Sequence, residues 1–152
     1  MKGSLCFSAD ANTMQTMDDG FLVCENGRIA GVFSALPERY AALPLLDYTG
    51  KLILPGMTDL HVHAPQFAFR GLGMDLELLE WLNTYTFPEE SKYADLEYAE
   101  RAYTSFVEHL RRSTTTRAAI FATIHLSATR LLMEKLEASG LVTYVGKVNM
   151  NR

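Results

Sequence analysis

Residues 54–66 read LPGMTDLHVHAPQ, and the fold turns on how they are taken. A Pro55-Gly56 turn opens a short apolar run that ends in His61 and His63. Side chains alternate across a strand, so Asp59, His61 and His63 fall on one face, with Leu60 and Val62 on the other. If TDLHVH is the first strand of a parallel barrel, the histidine face points inward. Both rings then sit at the carboxyl end, where barrel enzymes carry their catalytic groups. Two imidazoles placed in this way can reach one cation at about 2.0–2.1 Å. The H-x-H pattern is also short enough to arise by chance, so on spacing alone two ordinary strand histidines remain open.

Upstream of Pro55 the texture is β. GFLVCENGRIAGVFS sets Asn26-Gly27 between two β-rich runs, the strongest short-range hairpin signal. GSLCFSA and GKLILPG read as further short strands, and residues 35–46 as a connector or short helix. Downstream the texture alternates. Residues 75–87, DLELLEWLNTYTF, predict a helix with Asp75 as N-cap, Leu76, Leu79 and Leu82 as its apolar stripe, and Pro88 as its stop. A second helix is expected from about Tyr93 to Arg112, with Leu96, Ala99, Tyr103, Phe106 and Leu110 inward. Glu97–Arg101 and Glu108–Arg112 would pair along its solvated face. RAAIFATIH, residues 117–125, reads as a buried strand entered through Thr114, Thr115 and Thr116. ATRLLMEKLEAS is a helix closed by Gly140, and LVTYVGKVNM is a third strand. Strand, helix, strand, helix, strand is the order of parallel βα units.

The chain has 152 residues, 48% hydrophobic and 21% charged, enough apolar material for a core of ordinary domain size. A formal net charge of -4 argues against a nucleic-acid footprint, since no basic stripe is present to neutralise phosphates. No segment approaches the roughly 20 apolar residues of a membrane span. The start, MKGSLCFSAD, lacks an apolar signal-peptide region, and Cys6 and Cys24 read as reduced, buried thiols of a cytoplasmic protein.

HVHAPQ, followed by GLGMDLELLEWLNTYTFPEE, TTTRAAIFATIH and YVGKVNM, resembles the guanine deaminases of the amidohydrolase superfamily. H-x-H alone would suit hydantoinases, dihydroorotases or cytosine deaminases equally well. The LLEWLNTYTFPEE string narrows the match, which covers nearly the whole chain. The resemblance implies an α/β fold: a β-sandwich-like segment over residues 1–54, then the first βα units of a metal-dependent (β/α)8 barrel over 55–152, the barrel incomplete. It implies hydrolysis of guanine to xanthine and ammonia with one zinc, and a homodimer for the full-length protein. His61 and His63 match two zinc ligands. His63, Ala64, Pro65 and Gln66 match the loop that touches the purine, with Gln66 as its hydrogen-bonding side chain, because an amide both donates and accepts.

His125 is the remaining candidate for lining the pocket, at the end of the second predicted strand. His109 and Arg70 are expected to be solvated, Trp81 and Tyr85 to pack in a core, and Asp59 either to orient a ligand or to make a structural hydrogen bond. The resemblance also implies a later histidine and aspartate ligand, a glutamate that moves protons, and an arginine and phenylalanine that hold the purine. None of these falls within the sequence, so the chain reads as an N-terminal portion, inactive by itself. Ser113 stands where the family pattern implies glycine, and Asn151 where it implies aspartate. Two other expectations stand beside this one: an amidohydrolase acting on another cyclic amidine or amide, and a non-catalytic remnant serving as a binding or assembly module.

Overall fold

Asn26 and Gly27 take φ of 52° and 73°, the paired positive values of a two-residue hairpin turn. The turn joins β2 (Met14–Glu25) to β3 (Arg28–Phe33), as the Asn-Gly signal predicts. The structure, a computed structural model, describes residues 1–149. Asn151 lies outside the described residues.

Two compact units divide the chain, Met1–Pro55 and Gly56–Arg152. The first is built on one mixed four-stranded sheet. Its order is β3-β2-β1-β4, with β1 (Lys2–Ser8) antiparallel to β2 and parallel to β4 (Asp47–Ile53). Leu5, Val23 and Tyr40 are its buried apolar side chains. Tyr40 comes from a short 3-10 turn, Glu38–Tyr40, within the segment expected to be a connector. Cys24 is exposed and Cys6 half-buried, so burial of both thiols does not hold.

The second unit is a parallel sheet of β5 (Met57–His63), β6 (Thr115–Phe121) and β7 (Val142–Gly146), in that order. Two helices cover one face of it. The longer runs Leu96–Arg112 and starts at Asp95, whose carboxylate accepts the backbone N–H of Glu97 at 2.8 Å. Ala99, Tyr103, Phe106 and Leu110 enter the core as their spacing predicts, together with Ala118 and Ile120 of β6. Leu96, expected inward, is exposed because it sits in the first turn. The other helix, Leu126–Ser139, ends at Gly140 with φ 78°, a left-handed C-cap that glycine adopts without a Cβ penalty. Glu108 and Arg112 pair at 2.8 Å, whereas Arg101 lies over the Tyr98 ring at 6.0 Å.

Three local expectations fail for identifiable reasons. The helix expected over residues 75–87 begins at Leu78, not after Asp75, and continues beyond Pro88. α1 (Leu78–Trp81) widens into a π-turn over Leu82–Thr86 and resumes as α2 (Phe87–Ser91). The Phe87 N–H reaches back five residues to the Leu82 carbonyl. That wider turn tolerates Pro88, which lacks an N–H and would clash with a carbonyl four residues back in a regular helix. Leu79, expected in a buried stripe, is 68% exposed. β6 stops at Phe121, so His125 lies beyond the strand as the residue capping the Leu126–Ser139 helix. Ser113 needs no positive φ: it is extended at -89°, and its hydroxyl donates to the Leu110 carbonyl at 2.8 Å.

Candidate functional site

His61 Nε2 and His63 Nε2 lie 3.1 Å apart at the carboxyl end of β5. The strand alternation is real for this pair but irregular around it. Asp59 pairs with Ala118 and Val62 with Ile120, so β5 holds one more residue than β6 across the same span. Such a bulge leaves a backbone N–H outside the ladder and re-aims a side chain. The N–H concerned belongs to His61, and Asp59 Oδ1 accepts it at 3.0 Å. Leu60 consequently turns outward, 77% exposed, instead of joining Val62 against the core. Asp59 thus makes the structural hydrogen bond among its two expected roles.

Phe121 fixes the ring positions. It is the register partner of His63 on β6, stacks on that ring at 4.7 Å, and meets the His61 ring at 4.7 Å. Burial first, and then the neighbouring His61, holds the His63 pKa below its ordinary value. A neutral imidazole keeps a lone pair free for a cation. Two nitrogens bound to one tetrahedral cation at about 2.0–2.1 Å sit roughly 3.3 Å apart. The observed 3.1 Å is close to that spacing. The pair therefore suits two positions of a metal site. Among the described residues, no group of three or more His, Cys, Asp and Glu could hold a metal.

A hollow opens beside the rings. Gln66, Phe67, Arg70, Leu78, Trp81 and Leu82 line it together with both histidines. Gln66 comes from the 3-10 segment Ala64–Phe69 that follows β5 directly. Ala64 and Pro65, from the same segment, are buried instead, Ala64 in the core. The Tyr93 hydroxyl donates to the Pro65 carbonyl at 3.3 Å and ties the segment down. Arg70 is exposed, as expected, while it lies over the Phe67 ring at 3.9 Å and donates to the Phe67 carbonyl at 2.8 Å. Trp81 donates its Nε1–H to the Leu72 carbonyl at 3.0 Å and packs against Phe69. Gly73, at φ 65°, makes this closeness feasible, since a Cβ there would lie 2.5 Å from Tyr85 Cε2.

His125 does not line the hollow. Its Nε2 is buried and has no hydrogen-bond partner among the described residues. His109 is exposed and covers the Phe67 ring at 5.0 Å. Sequence reasoning missed Phe121, Leu78 and Leu82, which become visible only with the register of β5 on β6 and the course of the π-turn. It also missed Glu89 and Glu90, both buried on α2 despite their charge.

The amidohydrolase family pattern matches residues 52–152, from the last residues of β4 through the whole second unit. The chain belongs to the amidohydrolase family. This amidohydrolase is similar to the guanine deaminase of Dictyostelium discoideum, 45% identical over 108 residues, or 71% of this chain and 24% of that one. It is 36% identical over 146 residues to guanine deaminase of Escherichia coli (strain K12), covering 93% of this chain and 33% of that one. The crystal structure of guanine deaminase from C. acetobutylicum, with guanine bound in its active site, superposes with a TM-score of 0.92 at 46% identity. That match covers 98% of this chain and 36% of that one. The chain thus spans between 24% and 33% of the length of these curated relatives. Its mixed α/β architecture is the one seen in the corresponding part of the solved enzymes. Among the described residues, no helix is long and apolar enough to cross a membrane.

Proposed function

We propose that this amidohydrolase supplies the metal-binding and purine-reading portion of a guanine deaminase, which converts guanine and water to xanthine and ammonia in the cytoplasm. The observation that carries the reading is the pair of imidazole nitrogens 3.1 Å apart, beside a hollow that Gln66 lines. The guanine-bound C. acetobutylicum structure, alike over nearly this whole chain, supports guanine as the substrate. In this reading residues 1–54 are the sandwich-like segment and residues 55–152 the first βα units of the (β/α)8 barrel.

His61 and His63 would hold zinc through Nε2, with Phe121 keeping both rings in place. Zinc, when bound, lowers the pKa of a water and stabilises negative charge developing on the attacked ring. The chain's own residues bind and orient the purine. Gln66 reads a ring edge through its amide, which can meet a donor or an acceptor. Trp81, Leu78 and Leu82 give the hollow an apolar wall for the flat heterocycle and displace water from it.

Xanthine and ammonia formation from guanine, measured on the gene's complete product with zinc, tests the proposal. Activity on guanine that His61→Ala or His63→Ala abolishes is expected. Ammonia release from a pterin or triazine, with none from guanine, contradicts the choice of substrate. The 152-residue chain alone should form no xanthine, because catalytic zinc usually holds three protein ligands and the described residues offer this pair no third.

A further inference from the structure

His61 and His63 are held in place by different means. His63 stands in the parallel ladder opposite Phe121, which stacks on its ring. His61 has no register partner on β6, and its N–H goes to Asp59 Oδ1 at 3.0 Å. Two residues along a regular strand span about 6.6 Å. The two ring centroids are only 5.0 Å apart and the Nε2 atoms 3.1 Å, so the rings lean towards each other.

The register shows how local the irregularity is. Met57 pairs with Thr115 and His63 with Phe121, so β5 enters and leaves in one register. Between those points β6 first holds an extra residue, Thr116, and β5 then holds one in turn, so only Thr58 and Asp59 are shifted. In an unbroken register Leu60 would face Ala118, a core residue. Asp59 faces Ala118 in its place, and Leu60 and His61 are left together on the open side of the strand. The exchange half-buries a carboxylate and leaves a leucine 77% exposed, so burial of apolar surface does not drive it. A bulge bends its strand and re-aims a side chain, and the side chain beside this one is His61.

We propose that Asp59 is a positioning residue for the histidine pair: by accepting the His61 N–H it closes the bulge that leans the His61 ring onto Phe121 and towards His63. It acts through the backbone of a histidine that the ladder does not hold, and it needs an acceptor oxygen, not a charge. An alanine there leaves the N–H without its acceptor and lets the strand relax. This inference rests on the reading of the pair as two zinc ligands.

Proton NOEs in the 152-residue chain and its zinc affinity test the proposal together. Phe121 should show NOEs to both histidine rings, each 4.7 Å away. Asp59→Ala should lose the His61 contact, keep the His63 contact, and weaken zinc binding roughly tenfold, the worth of one hydrogen bond to a charged group. Asp59→Asn keeps an oxygen acceptor without the charge and should retain both the contact and the affinity. Asp59→Glu, which keeps the charge but moves the acceptor, should behave as Asp59→Ala does, and it serves if the alanine variant does not fold. Asp95→Ala removes a comparable backbone acceptor far along the sequence and should leave zinc affinity unchanged. Zinc binding weakened as much by Asp59→Asn, or by Asp95→Ala, overturns the positioning role in favour of charge or general stability. An intact His61–Phe121 contact in both Asp59→Ala and Asp59→Glu overturns it as well. A parent chain that takes up no zinc overturns the zinc reading, and the NOEs alone then decide whether Asp59 holds the pair.

Discussion

The helix Leu96–Arg112 and the broken helix Leu78–Ser91 lie in the same unit and obey opposite rules. The first keeps a single apolar stripe, and Ala99, Tyr103, Phe106 and Leu110 on it are all buried. The second exposes Leu78 and Leu79 and buries two glutamates. One helix is shaped by burial of apolar surface, the dominant favourable contribution in folding. The other forgoes some of that contribution to line the histidine hollow. Departures from local pattern are expected where function constrains a chain.

Substitutions can break the contrast in order of expected size. Phe106→Ala empties a fully packed position on the regular helix and should cost about 3–5 kcal/mol by chemical denaturation. A loss no larger than that of a surface residue would show that this helix does not carry the core. Asp95→Ala removes the cap that accepts the Glu97 N–H and should cost about 1 kcal/mol. Leu79→Ala on the broken helix should stay within about 0.5 kcal/mol, since the side chain is 68% exposed. A large loss there would place Leu79 in a core and end the contrast.

Glu90 sharpens the comparison through pH. Its folded-state pKa is raised, chiefly by burial, so the native chain keeps that proton to higher pH than the unfolded chain does. The resulting contribution is present below the unfolded value of about 4.5 and is lost as pH rises through the folded pKa. Glu90→Gln should therefore gain melting temperature relative to the parent at pH 7, and the gain should shrink on acidification toward pH 4.5. A gain that does not change with pH would mean the carboxyl is not paying for its burial.

The legible and illegible parts of the sequence divide along the same line. Asn26-Gly27, the stripe of the long helix and the Gly140 cap were readable because each is a local rule with one physical cause. The two histidines were readable because strand alternation survives between them. The bulge that turns Leu60 outward was not, since it depends on the register against β6. Phe121 escaped for the same reason: nothing local says that it stacks on His63. Pro88 misled because its usual effect, ending a helix, was absorbed by a π-turn that leaves no periodic trace. Glu89 and Glu90 followed it into concealment, since charged pairs ordinarily face water.

Zinc titration of the chain labelled with 15N-histidine tests the central claim most directly. The sequence holds four histidines, His61, His63, His109 and His125, and each contributes its own ring signals. The Nε2 signals of His61 and His63 should move together and saturate at one zinc per chain. Either His61→Ala or His63→Ala should abolish the response. Zinc binding that survives both substitutions, or that moves His109 or His125 in their place, would contradict the assignment of this pair as the metal-binding half of the site.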